Sequence, residues 1–154
     1  MLLNSEREWV RPHEVLLALR DGGCSTTWLE DVNMGFRPSG YVALGTFCDP
    51  DAIRRVERGG LAAAVLFTEG TALEGFSLLR IIRSISADLP CWLVATDPTP
   101  HTLQAALALR VHSVMRHPVE AGVLSGTVTR GLGLARFHSA GSDDPSDDIA
   151  TQGS

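Results

Sequence analysis

The chain contains no lysine, and all 13 of its basic residues are arginine. That absence excludes chemistry built on a lysine amine, including Schiff-base formation and the phosphate-binding lysine of a P-loop. Long hydrophobic runs are missing too: no segment approaches the ~20 apolar residues of a membrane span, and no membrane partner is expected. Cysteine is sparse. Cys24, Cys48 and Cys91 are odd in number and widely spaced, giving neither a disulfide framework nor a Cys-x-x-Cys pair, which fits a reducing cytoplasm. Glu6 and Glu8 stand where a secretory signal would carry positive charge before an apolar stretch, so export is not expected.

What is present suffices for one compact domain. The 154 residues are 44% apolar, enough for a core but too few for two large domains. The net charge is −5, and Asp143, Asp144, Asp147 and Asp148 all fall after Phe137, where there is no arginine. The body is therefore nearly neutral. It lacks the basic face or stripe of a nucleic-acid binder, and no direct nucleic-acid partner is expected.

From Glu14 to about Leu134, short apolar runs alternate with helix-like stretches, the rhythm of a parallel sheet covered on both faces. The runs Val15–Leu19, Tyr41–Thr46, Leu61–Phe67, Cys91–Ala95 and Ser113–Met115 read as five strands. Thr27–Glu30 and Thr71–Glu74 have capping-box spacing, the first before a helix ending near Gly35. Asp49-Pro50 reads as an N-cap and first-turn proline before a short helix that stops at Gly59-Gly60. Asp97-Pro98 and Thr99-Pro100 are start signals for a helix over Leu103–Leu109. A last helix begins after His117-Pro118, weakened by Gly122, Gly126, Gly131 and Gly133, unless these serve close helix approach. Residues 1–13 read as an extension, 14–136 as the domain, and 137–154 as an acidic tail expected to be disordered.

Particular stretches resemble the receiver domain of bacterial two-component response regulators. Tyr41-Val42-Ala43-Leu44-Gly45-Thr46-Phe47-Cys48-Asp49 is similar to the second strand and turn of NarL/LuxR-type members. Leu73-Glu74-Gly75-Phe76-Ser77-Leu78-Leu79-Arg80 is similar to the family's Met-Asp-Gly-(Leu/Phe)-x-Leu-Leu-Arg helix start, and Arg116-His117-Pro118 falls where the family has x-Lys-Pro. The resemblance covers roughly Glu14 to Leu134. It implies an α/β fold, CheY-like or flavodoxin-like, with five parallel strands in the order 2-1-3-4-5 and helices on both faces.

The family transfers a phosphoryl group from a histidine kinase to an aspartate at the end of the third strand. Counted back from Gly75, the acceptor position falls at Phe67, whose ring offers no nucleophilic oxygen. The acidic pair that holds Mg²⁺ falls near Leu19-Arg20, leaving Asp21 as a nearby oxygen ligand. One carboxylate beside an arginine is a poor basis for a hard cation. The switch Ser/Thr aligns with Ala95, with Thr96 one place late; the switch aromatic aligns with Val114, and the lysine with His117. Acceptor, metal ligands, switch pair and lysine are altered together. The resemblance therefore implies a pseudo-receiver, in which Phe67 and Val114 fill the former pocket, with no metal and no cofactor expected.

Glu69, two places past Phe67, would mimic a phosphorylated aspartate if the loop shifted, but the apolar run aligns without a gap and Glu69 reads as a solvated turn residue. Asp97 is an alternative acceptor that reads better as a helix cap. The loop Asp21-Gly22-Gly23-Cys24-Ser25-Thr26-Thr27 follows the first strand, where open α/β sheets often bind phosphate, and supplies a second reading as a flavodoxin-like ligand or nucleotide-phosphate site. It lacks both the G-x-G-x-x-G spacing and the Walker lysine, so a plain turn accounts for it better. His101, His112, His117 and His138 show no zinc spacing; His117 stands at the mouth of the former pocket, as a polar loop residue or a sensor. Cys91 and Trp92 read as core residues.

Leu103, Leu107, Val114, Val119 and Val123 fall on the face that receiver domains use for dimers and output contacts. The resemblance thus implies a protein partner (a response regulator, kinase or transcription factor) or self-association, and no enzymatic activity. About 20 residues follow Leu134, too few for a helix-turn-helix output domain within this chain.

Overall fold

The computed structural model describes the backbone of residues 13–19, 26–68 and 73–140, with side chains for 13–19, 26–68 and 76–133. Five strands, β1 (Glu14–Ala18), β2 (Val42–Thr46), β3 (Leu61–Thr68), β4 (Cys91–Ala95) and β5 (Val114–Arg116), alternate with five helices. These are α1 (Thr26–Phe36), α2 (Asp49–Arg58), α3 (Leu73–Ile85), α4 (Pro100–Ala108) and α5 (Ala121–Ala140). The strands form one parallel sheet in the order β2-β1-β3-β4-β5, the order that the resemblance implies.

Central strands are apolar throughout because helices cover both of their faces. On one face Leu16, Ala64, Leu66, Cys91 and Leu93 pack against Ala52 and Val56 of α2, Leu79 and Ile82 of α3, and Ala106 of α4. On the other, Val15, Leu17, Val65, Phe67, Trp92 and Val94 meet Val32 and Phe36 of α1 and Leu124, Val128 and Leu132 of α5. Arg83 ties the end of the sheet where the strands begin: its guanidinium donates to the carbonyls of Leu89 (2.5 Å), Leu109 (2.9 Å) and Arg110 (2.9 Å). A single cation thereby satisfies carbonyls of both the α3–β4 and the α4–β5 connections.

Several local readings shift by a residue or more. α1 begins at Thr26, so Thr27 lies inside the helix rather than at its cap. α2 begins at Asp49 itself, with Cys48 at the cap position. α4 is capped by Thr99, whose Oγ1 accepts from the Thr102 N–H at 3.1 Å, and not by Asp97. α5 starts at Ala121, after a cis His117–Pro118 bond, and runs to Ala140, past Phe137. The second capping box includes Thr71, which lies outside the described residues.

Two glycines are dictated by close approach. A Cβ on Gly131 of α5 would sit 2.3 Å from Cζ2 of Trp92, and one on Gly35 of α1 would sit 2.0 Å from Oγ of Ser125 on α5. α5 therefore lies tightly on both β4 and α1. Gly122 and Gly133 face open space and serve no such contact.

Candidate functional site

Of the residues singled out by sequence, Phe67, Ala95, Thr96 and His117 lie at the end of the sheet where β3, β4 and β5 finish. Period-two alternation decides where each side chain points. Register places Phe67 beside Val94, and Val94 beside Met115, whereas Leu66, Leu93 and Val114 form the adjacent row. Phe67 and Met115 accordingly pack on the α1/α5 side, and Val114 packs against the α2–α4 side. Phe67 and Val114 thus do not share a pocket. The residue that joins Phe67 from β5 is Met115.

Phe67 is 8% exposed. Its ring is met edge-to-face by Trp28 of α1, centroids 5.8 Å apart at 84°, and by His117, 6.5 Å away at 81°. Edge-to-face pairs of this kind contribute roughly 0.5–1.5 kcal/mol each beyond their buried area. The indole Nε1 of Trp28 also donates to the Val119 carbonyl at 2.9 Å, joining α1 to the loop after β5. The His117 N–H in turn donates to the Ala95 carbonyl at 2.8 Å. Strand ends, α1 and the β5–α5 loop are thereby held as one aromatic cluster.

Around the cluster, Ala95 is fully buried and Thr96 is exposed. Asp97 lies 3.9 Å from Arg116, and both side chains are exposed, so solvent screens the pair. Thr68 is buried at 3% exposure, and its Oγ1 has no hydrogen-bond partner among the described residues. Alternation turns it to the α2–α4 side, away from Phe67. Arg20, Asp21, Gly22, Gly23 and Glu69 lie outside the described residues. Among the described residues, no group of three or more His, Cys, Asp or Glu side chains is arranged to hold a metal ion. No helix among them is long and apolar enough to cross a membrane.

Similarity to known proteins follows the same topology. A signal receiver domain from Vibrio parahaemolyticus matches with TM-score 0.68 and 18% identity, covering 85% of this chain and 97% of that one. The fold is that of receiver domains. A CheY-like receiver domain protein from Methanospirillum hungatei shows the same receiver fold at TM-score 0.66 and 13% identity, covering 82% and 98% of the two chains. An orphan response regulator of Helicobacter pylori does so at 0.65 and 12%, covering 80% and 99%. In sequence, uncharacterized response regulatory proteins of Mycobacterium tuberculosis strains CDC 1551 and H37Rv are 33% identical over 88 residues, 57% of this chain. The chain spans 64% of the length of these curated relatives. No family model matches it.

Within the receiver fold, the expected contact face divides in two. Leu103 and Leu107, one turn apart on α4, are 42% and 65% exposed, and Val123 on α5 is 51% exposed. Val114 and Val119 are half-buried against the two cores and leave less apolar surface. Trp28, Met115 and Thr68 were not singled out from the sequence. Met115 was legible from alternation once β5 was placed, whereas nothing in the sequence signals a Trp28 contact to a carbonyl 91 residues away.

Of the other candidates, His101 and Asp97 are exposed, and His112 lies at the opposite end of the sheet, stacked on Trp92 at 4.6 Å and 14°. Burial, with the Arg83 charge second, pushes the His112 pKa below its ordinary value. Cys91 is buried, and burial lifts its thiol to about 11 despite Arg83. The His138 side chain lies outside the described ones.

Proposed function

We propose that the chain is a pseudo-receiver, a regulatory module that works without phosphorylation through protein–protein contacts in bacterial signalling or transcription control. The observation that carries this reading is Phe67. At the strand end where the resemblance puts the acceptor, a phenyl ring is packed between Trp28 and His117 with 8% of its surface exposed. A hydrocarbon ring there offers no nucleophile, and the space an acyl phosphate would need is filled. The module has no catalytic step of its own, and its binding face is held in one state by packing rather than by a phosphoryl switch.

Binding is assigned to the α4–β5–α5 side, where Leu103, Leu107 and Val123 are exposed around the edge strand β5. The partner is a response regulator, kinase or transcription factor, or a second copy of the chain. Addition of acetyl phosphate, or of beryllofluoride with Mg²⁺, followed by NMR tests the first half. Backbone shifts at Phe67, Ala95 and His117 should stay unchanged, and large saturable shifts there would overturn it. Affinity capture with the native chain and with Leu107→Arg and Val123→Arg variants tests the second. Loss of the captured partner in both variants supports the face, whereas unchanged capture removes it.

A further inference from the structure

At the end of the sheet opposite the Phe67 cluster, the chain passes from α4 into β5 through residues 109–113. His112 sits in that joint, its N–H donating to the Cys91 carbonyl at 2.8 Å. The residue is exposed, yet its imidazole lies flat on the indole of Trp92, centroids 4.6 Å apart at 14°. Trp92 itself is buried, and its Cζ2 edge abuts Gly131 of α5 so closely that a Cβ there has no room. The imidazole is thus a lid over a buried ring, with water on its outer side. Arg83 of α3 acts on it and cannot withdraw, because the carbonyls of Leu89, Leu109 and Arg110 hold its guanidinium. Of the other titratable or charged groups on the surrounding elements, Cys91 of β4 is a neutral thiol. Asp88 before β4, Arg110 of the joint and Arg130 of α5 are exposed, and His101 and Arg116 stand at the far ends of α4 and β5.

We propose that His112 and Trp92 form a proton-operated latch, in which the neutral imidazole closes over the indole and the imidazolium swings out into water and uncovers it. Two costs oppose a charged ring in the closed position. The side against the indole loses its water, and Arg83 adds a like charge that stays in place. Burial first and Arg83 second hold the His112 pKa below its ordinary value. Attraction of an imidazolium for the indole face opposes release, but the direction of that shift shows that the closed position favours the neutral ring on balance. Swinging out restores the hydration of the cation at the loss of one stacking contact. Trp92 touches α5 through Gly131, and His112 ends the turn that leads α4 into β5, so the latch joins the three elements of the side to which binding is assigned above. Control of binding by pH rests on that assignment, whereas the latch itself does not.

Proton NMR of the full-length chain and its His112→Gln variant, titrated from pH 8 to about 5, tests the latch. An imidazole lying on an indole has its Hε1 and Hδ2 resonances displaced upfield, and their loss in His112→Gln identifies them. The displacement should disappear as His112 protonates, with a midpoint below 6.5. The Gly131 amide should move along the same curve in the native chain and stay flat in the variant. An upfield displacement that persists in the imidazolium form would overturn the proposal, because the ring then stays closed when charged. A midpoint at or above 6.5, or a Gly131 amide that ignores the titration, would overturn it too. No partner takes part in the measurement, so its failure is distinct from failure of the binding assignment.

Discussion

Trp28 stands with its plane at 84° to that of Phe67, and the same indole donates to the Val119 carbonyl at 2.9 Å. One side chain from α1 thus fixes both the end of β3 and the loop that follows β5. The loop after β5 is thereby tied to the end of β3 through an edge-to-face ring contact and a hydrogen bond.

Phe67→Ala should destabilise the protein by roughly 3–5 kcal/mol, since it empties a packed aromatic site. Trp28→Phe should cost about 1 kcal/mol for the hydrogen bond, plus a loss of packing area. Urea unfolding midpoints read both. If the two effects add without coupling in the double variant, the cluster does not act as a unit.

The glycines of α5 should separate cleanly by what lies opposite them. Gly131→Ala drives a methyl to within 2.3 Å of Trp92 and should destabilise by about 1–3 kcal/mol. Gly133→Ala meets nothing within 4 Å and should instead stabilise by roughly 0.5–1 kcal/mol through helix propensity. Thermal melts of the two variants in parallel give opposite signs, and equal signs would contradict the packing of α5 on β4.

Stability should fall as the pH drops below 6.5 in part because of His112. Its folded pKa lies below the ordinary histidine value of 6.5, by burial first and Arg83 second, so the unfolded chain binds the proton more readily in that window. The stabilisation is complete above 6.5 and is lost as the pH falls through the interval between the two pKa values. His112→Gln should flatten that part of the profile, measured as urea midpoint against pH. A slope that survives the substitution assigns it to other groups.

Thiol reagents should distinguish the two cysteines among the described residues. Cys48 is exposed, while Cys91 is buried with its thiol pushed up to about 11. Thiolate is the reacting form, so Cys91 should stay unmodified at pH 8 until denaturant is added. Peptide mapping after alkylation of the native protein checks this, and early labelling of Cys91 would show that β4 opens readily.

Leu61–Phe67 and Cys91–Ala95 could be read as strands because all-apolar runs this short, bounded by turn residues, fit a buried sheet better than a helix, which needs a longer segment. The start of α4 was harder. Asp97 and Thr99 each precede a proline, and only the geometry of the turn selects Thr99 as the cap. The candidate site was half legible: the resemblance put Phe67 and His117 together, and the structure does so too, with their rings 6.5 Å apart.

The sequence by itself determined the order of elements, the lack of any lysine amine, and the phenyl ring at the strand end, because composition and local periodicity are properties of single segments. Tertiary structure alone decided that Phe67 shares its row with Met115 and not Val114, and that Trp28 reaches Val119. Alternation tells which residues of one strand share a face, but the register between strands decides which faces coincide. That register is set by packing among segments far apart in the chain.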